Sequence, residues 1–243
     1  MRGRALSEST SQVDAAPWSH PDPSDDLAGI LSDIALSLHR EPSLDATLDA
    51  VTASAVHTVP GVCWAAIKLV AKSRKVEVRA ATADLVRQIE DVQIRLGEGP
   101  CLTALWEEHI VRVDDVRSET RWPRWAAQIE DLGVRSVLCF NLFTDARLGT
   151  LNLFSDATGA LQEEAEYTGR LFATHAAIAL ADARQAGQLR EAVASRDLIG
   201  QAKGVLMERH GLDATAAFDL LVRASQTTHM KLHDVAERVA QRD

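Results

Sequence analysis

The stretch Ser195-Arg196-Asp197-Leu198-Ile199-Gly200-Gln201-Ala202-Lys203-Gly204-Val205-Leu206-Met207 opens three amphipathic patterns that run to the end of the chain. Leu198, Ile199, Ala202, Val205 and Leu206 recur at helical spacing and share one face. Ala217, Phe218, Leu221, Ala224 and Ser225 repeat it, as do Leu232, Val235, Ala236 and Val239. Gly211 is placed to end the first helix, because glycine takes the left-handed cap position without steric cost. Asp213 and Thr228 are placed to cap the second and third helices. Three short helices, each with one apolar face, are expected to pack as an all-α three-helix bundle over residues 195–243.

The polar faces carry the functional hint. Arg196, Gly200, Lys203 and Met207 are spaced by four, three and four and line one stripe of the first helix. A glycine inside a helix costs about 1 kcal/mol relative to alanine, so Gly200 and Gly204 together point to close approach by a partner. Thr228, His229 and Lys231 are expected around the start of the third helix, where unpaired backbone donors favour phosphate.

The series Ser195-Arg196-x-x-Ile199-x-Gln201-Ala202-Lys203-Gly204-x-Leu206-Met207, followed by Ala217-Phe218-x-x-Leu221, Ala224-Ser225-Gln226 and Lys231-Leu232-x-x-Val235-Ala236, resembles the ANTAR family of RNA-binding transcription antitermination regulators. The likeness covers about Leu189 to Val239. It implies a dimeric module that binds paired RNA stem-loops in nascent transcripts and keeps a terminator hairpin from forming. Carried onto this sequence, the RNA-binding residues are Arg196, Gln201, Lys203, Gly204, Thr228 and Lys231. A DNA-binding regulator is the alternative, since a small helical bundle also enters a major groove. A protein-interaction adaptor is the third reading.

Charge refines this expectation. The chain of 243 residues has a formal net charge of −9, yet from Ala186 onward acidic and basic residues balance. A neutral module cannot bind RNA by bulk attraction, so recognition must rest on few phosphate contacts and on shape. No apolar run has the roughly 18 residues of a membrane helix, and Met1-Arg2-Gly3-Arg4 lacks the apolar centre of a secretory signal, so a cytoplasmic protein with no membrane partner is expected. Cys63, Cys101 and Cys139 show neither disulfide-framework nor metal-ligand spacing and read as buried small hydrophobes.

Residues 1–25 have no apolar period and read as a disordered tail. From Asp26 two helices are expected, the second near Leu44 to His57. Strands follow at Val62–Val70 and Val76–Ala81, with a turn near Lys72-Ser73-Arg74, then at Ile110–Val113, Ser136–Phe143 and Leu148–Phe154. A helix from about Glu163 to at least Ala183 closes an α+β arrangement, an antiparallel sheet flanked by helices. The order of these elements, with Ile94-Arg95-Leu96-Gly97-Glu98-Gly99-Pro100-Cys101, Gly133-Val134-Arg135-Ser136-Val137-Leu138 and Leu148-Gly149-Thr150-Leu151-Asn152-Leu153, resembles a GAF sensor domain over residues 26–183. The likeness implies a small-molecule or redox sensor, often dimeric, with its pocket between the sheet and the loops of one face. Ser155-Asp156 stands where cyclic-nucleotide members carry an Asn-Lys pair, which argues against that ligand.

Within the sensor, Cys101 at a helix start is the best redox candidate, and Trp106, Trp122 and Trp125 are candidates to line a ligand pocket. No cofactor is named by these residues. No Gly-rich phosphate loop, nucleophile elbow or paired-carboxylate site is present, so no catalytic residue and no enzyme activity is expected. Residues 184–194 read as a helical linker. Ile178, Ala181, Leu189, Ala192, Ile199 and Leu206 form a seam of threes and fours through it, which predicts a homodimer with a weak coiled coil broken at Gln185 and Arg196.

Overall fold

The structure, a computed structural model, describes residues 23–71 and 75–241. Among them the order is α1 (Pro23–His39), α2 (Leu44–Thr58), β1 (Trp64–Val70), β2 (Val76–Ala81), α3 (Asp84–Leu96), α4 (Pro100–Trp106), β3 (Ile110–Val113), α5 (Pro123–Ile129), β4 (Ser136–Phe143), β5 (Arg147–Ser155), α6 (Glu163–His210), α7 (Ala214–Thr228) and α8 (Leu232–Ala240). Of the segment read as a tail, residues 1–22 lie outside the described residues, and Pro23–Asp25 open α1. The turn expected at Lys72–Arg74 also lies outside them.

The strands form one antiparallel sheet in the order β2-β1-β5-β4-β3. Alternation along each strand feeds two cores. Ala65 and Ile67 of β1, Leu138 and Phe140 of β4, and Leu151 and Leu153 of β5 pack against α1, α2 and the first turns of α6. Ala66, Val137, Cys139 and Phe154 face the other way, toward α3, α4 and α5. Gly149 is required where β5 meets β1, since a Cβ built there lies 1.8 Å from the carbonyl oxygen of Lys68.

Helix ends follow local chemistry. Ser43 caps α2 by accepting from the Ala46 amide at 3.2 Å. Gly97 ends α3 in the left-handed conformation, and Pro100 and Pro123 open α4 and α5, where a missing N–H costs nothing. The α5 start is completed from outside: Glu98 accepts from the amides of Arg124 and Trp125 at 2.9 and 3.0 Å.

The long helix α6 runs 48 residues without interruption, so the expected linker at residues 184–194 is helix throughout. Its last turns join α7 and α8 around Ala202, Leu206, Ala217, Leu221, Val235 and Ala236. Gly211 takes the left-handed cap and Asp213 accepts from Thr215 and Ala216, both as the sequence predicts. Two expectations need correction. Thr228 does not cap the third helix: it ends α7, its hydroxyl bonding back to the Ala224 carbonyl at 2.7 Å. His229 then takes the left-handed turn and Lys231 occupies the α8 cap position without a side-chain bond. Of the expected seam, Leu206 is buried inside the bundle, Ile199 packs against it and Ala181 packs on the first core, which leaves Ile178, Leu189 and Ala192 as its outward members.

Candidate functional site

Two places hold polar side chains in arrangements that packing does not require. The first is the face of the terminal bundle. Arg196 and Gln201 are exposed on α6, and Lys203 is half-buried with its ammonium 5.9 Å from the centre of the Phe218 ring on α7. Phe218 is 39% exposed and Met207 38%, so this cation–π contact lies at the surface and leaves the ring open. Gly200 and Gly204 meet nothing within 4 Å of an added Cβ, so neither glycine is needed for packing inside the chain. Thr228 and Lys231 are exposed at the α7–α8 corner.

The second place is the interior of the α+β domain, between the sheet and α3. Lys68 on β1 and Glu90 on α3 form an ion pair in which both side chains are fully buried. Burial by itself would lower the lysine's pKa, but the Glu90 carboxylate beside it raises the group above its ordinary value. Asn152 of β5 donates to Glu90 Oε1 at 2.8 Å and Gln93 donates to Glu90 Oε2 at 3.3 Å. Gln93 also grips the start of α4: its Oε1 accepts from the Cys101 amide and its Nε2 donates to the Cys101 sulfur, both at 2.9 Å. Gly99 makes this grip feasible, because a Cβ there would lie 2.3 Å from Gln93 Oε1. Cys139 of β4 donates to Cys101 Sγ at 3.2 Å. Burial, then the bond to Cys101, pushes the Cys139 thiol pKa well up. Thr150 Oγ1, opposite Lys68 in the β1–β5 register, and Asn152 Oδ1 are buried without a hydrogen-bond partner among the described residues.

Of the residues read from the sequence, Cys101 belongs to this hydrogen-bonded cluster, while Trp122 and Trp125 share its apolar core without a polar contact to it. Trp122 and Trp125 meet edge to face at 6.3 Å in the second core, and Trp106 lies half-buried under Arg147. Lys68, Glu90, Gln93 and Cys139 were not identified as site residues by sequence reasoning. The signal available was a lysine within an otherwise apolar strand and two polar residues at core-facing positions of a helix. A 460 Å³ cleft opens on the opposite side of the sheet, between α6 and the β3–β4 edge, lined by His109, Ile110, Phe140, Asn141, Phe143, Arg170 and Thr174 among others. Among the described residues no helix is long and apolar enough to cross a membrane.

Comparison with known proteins agrees with this two-part architecture. The GAF domain model matches residues 41–181 and the ANTAR domain model residues 187–239. No curated protein matches the chain. Among solved structures, the GAF domain from a phosphoenolpyruvate-protein phosphotransferase of Coxiella burnetii is 17% identical, with TM-score 0.54 over 69% of this chain and 99% of its own. The free methionine-R-sulfoxide reductase from Neisseria meningitidis, solved with its substrate, is 20% identical, with TM-score 0.51 over 72% of this chain and 99% of its own. The Stigmatella aurantiaca phytochrome photosensory core module is 13% identical, with TM-score 0.56 over 88% of this chain and 48% of its own. At these identities the likeness is one of fold. GAF and ANTAR domains are regulatory modules, and the chain joins one of each through α6. The chain belongs to the GAF domain family and carries an ANTAR domain at its C-terminal end.

Proposed function

We propose that the chain is a cytoplasmic RNA-binding antitermination regulator, which binds paired stem-loops in nascent mRNA under the control of its GAF domain. The observation that carries this reading is the open stripe Arg196, Gly200, Lys203 and Met207 on the ANTAR module, where two glycines leave helix backbone clear and a lysine stands beside an exposed aromatic ring. Such a surface suits a phosphate backbone passing close to the helix and an unpaired base stacking on a ring. Gln201, Thr228 and Lys231 complete the proposed contact set.

A homodimer fits a target made of paired stem-loops. Tyr167, Ile178 and Leu189 follow each other at eleven-residue steps on α6 and are 57, 52 and 66% exposed. Eleven residues are close to three helical turns, so the three share a face with a drift of about 20° per step. That apolar stripe supports pairing of two α6 helices. Replacing Ile178 and Leu189 with glutamate then separates the dimer, because it buries charge without partners. A wild-type protein that sediments as a monomer with and without RNA ends the dimer reading.

The binding test is a titration of full-length protein with an RNA bearing two adjacent stem-loops and with duplex DNA of equal length, at about 0.15 M salt. Preference for the RNA is expected, with about a tenfold loss in Lys203→Ala at unchanged circular dichroism, the scale of one charge-assisted bond. Equal affinity for the two nucleic acids favours the DNA reading, and no affinity for either favours the adaptor.

A further inference from the structure

Cys101 and Cys139 stand 38 residues apart in sequence, yet their sulfurs are 3.2 Å apart, both fully buried and both free thiols. Their surroundings differ. The Cys101 sulfur accepts from Gln93 Nε2 and from the Cys139 thiol, and its own S–H points at Glu90 Oε1 at 3.4 Å. A carboxylate positioned to take the proton, with two donors around the sulfur, makes Cys101 the nucleophile of the pair. Lys68 lies beside that carboxylate as its counter-charge. Cys139, with its sulfur 3.2 Å away, is the thiol within reach to resolve the product.

We propose that Cys101 and Cys139 are a reversible dithiol–disulfide pair, oxidised by hydrogen peroxide, and that this oxidation is an input to the GAF domain. The chemistry stands on the geometry alone, and only its use as a signal rests on the regulatory reading above. In the first step the Cys101 sulfur attacks one peroxide oxygen as its proton passes to Glu90. The O–O bond breaks, and the departing hydroxide takes that proton and leaves as water. Cys101 is then a sulfenic acid. The Cys139 sulfur attacks it, the S–O bond breaks, and the hydroxyl leaves with the Cys139 proton as a second water. Two thiols give up two electrons and one peroxide accepts both. Closing the sulfurs to the bonded length of about 2.05 Å needs a movement of about 1 Å, of α4 against β4. Hydrogen peroxide is named as the oxidant because it is scarcely larger than water and the pair is fully buried.

The test uses the full-length protein and equimolar hydrogen peroxide, followed by denaturing alkylation and peptide mass mapping. The expected product is one disulfide joining the Cys101 and Cys139 peptides, with Cys63 fully alkylated and both thiols restored by dithiothreitol. Cys139→Ser should stop at a Cys101 sulfenic acid that dimedone traps, and Cys101→Ser should leave Cys139 reduced. Glu90→Gln should slow the reaction about 100-fold by removing the proton acceptor. The wild-type map decides even where a variant folds poorly. Oxidation of Cys63 ahead of the pair, or a pair that reacts only once urea has unfolded the chain, overturns the proposal. RNA affinity is then measured on both forms. Equal affinity of reduced and oxidised protein refutes the signalling part alone, whereas absence of RNA binding in both forms refutes the antitermination reading and leaves the dithiol standing.

Discussion

Replacing Lys68 with methionine tests the buried ion pair most directly. Methionine nearly conserves the length of the stem but removes the ammonium, so Glu90 is left inside the protein with no cation beside it. Breaking a buried pair from one side costs about 3–5 kcal/mol. Removing both charges with Lys68→Met/Glu90→Gln keeps an acceptor oxygen for Asn152 and Cys101, and the double variant should lose only about 1–2 kcal/mol. The coupling between the two sites is then favourable by about 2 kcal/mol or more. Urea denaturation followed by tryptophan fluorescence measures this in the right domain, because all five tryptophans precede residue 126. Lys68 has its pKa raised in the folded state, so the lysine's contribution is fully present below its ordinary value and is lost only as pH rises through the higher folded one. Titration of Lys68 should therefore take nothing from wild-type stability from about pH 6 to about pH 9. A single variant that loses less than about 1 kcal/mol, or a double variant as unstable as the sum of the singles, would refute the reasoning.

Gly149→Ala should destabilise the α+β domain by about 3 kcal/mol or more, since its Cβ would fall 1.8 Å from the Lys68 carbonyl oxygen. An unchanged urea midpoint would contradict the close approach of β1 and β5. Gly204→Ala should do the opposite in the terminal bundle, raising its thermal stability by up to about 1 kcal/mol because nothing crowds the added methyl. The same variant should weaken RNA binding, and unaltered affinity removes Gly204 from the proposed interface. Asp115 is held at about pKa 2, chiefly by the side-chain hydrogen bonds from Arg117 working against desolvation. Its contribution to stability is complete above the ordinary carboxylate value and disappears as pH falls through about 2, so the penalty of Asp115→Asn should shrink steadily in an acid titration. A penalty independent of pH would show that Arg117 is not its partner in solution.

The elements legible in the sequence are those whose period is uninterrupted. The strands at Val76–Ala81, Ile110–Val113 and Ser136–Phe143 are found with the bounds expected, and β5 extends by one residue at each end. The terminal bundle declares itself through apolar spacing and through Gly211 and Asp213. Helix α3 is harder to read for a physical reason. Its core side carries Val86, Ile89 and Val92 together with Glu90 and Gln93, and the last two look like solvent residues until Lys68 and Cys101 are brought to meet them. The side chains that build the interior cluster are thus the ones that obscure the helix holding two of them. Cys139 could not be paired with Cys101 from spacing, because β4 and α4 become neighbours only through the sheet. Thr228 misled for a local reason: its hydroxyl satisfies the Ala224 carbonyl, extending α7 to the residue read as the next helix's cap.

Between Leu180 and Ala202 the long helix has no fully buried side chain. This span of 22 residues is about 33 Å of rod, clamped at one end by the sheet and at the other by α7 and α8. Such a rod treats two kinds of motion differently. A tilt of about 5° at the sheet displaces the far end by about 3 Å, so translation is amplified in proportion to length. A twist about the axis passes through at unit gain, and only the angular phase of the two ends matters to it. Chain length and phase can be changed separately: removing seven residues shortens the rod by about 10 Å yet alters the phase by only about 20°, whereas removing two shortens it by about 3 Å and turns the proposed RNA-binding stripe about 160° away.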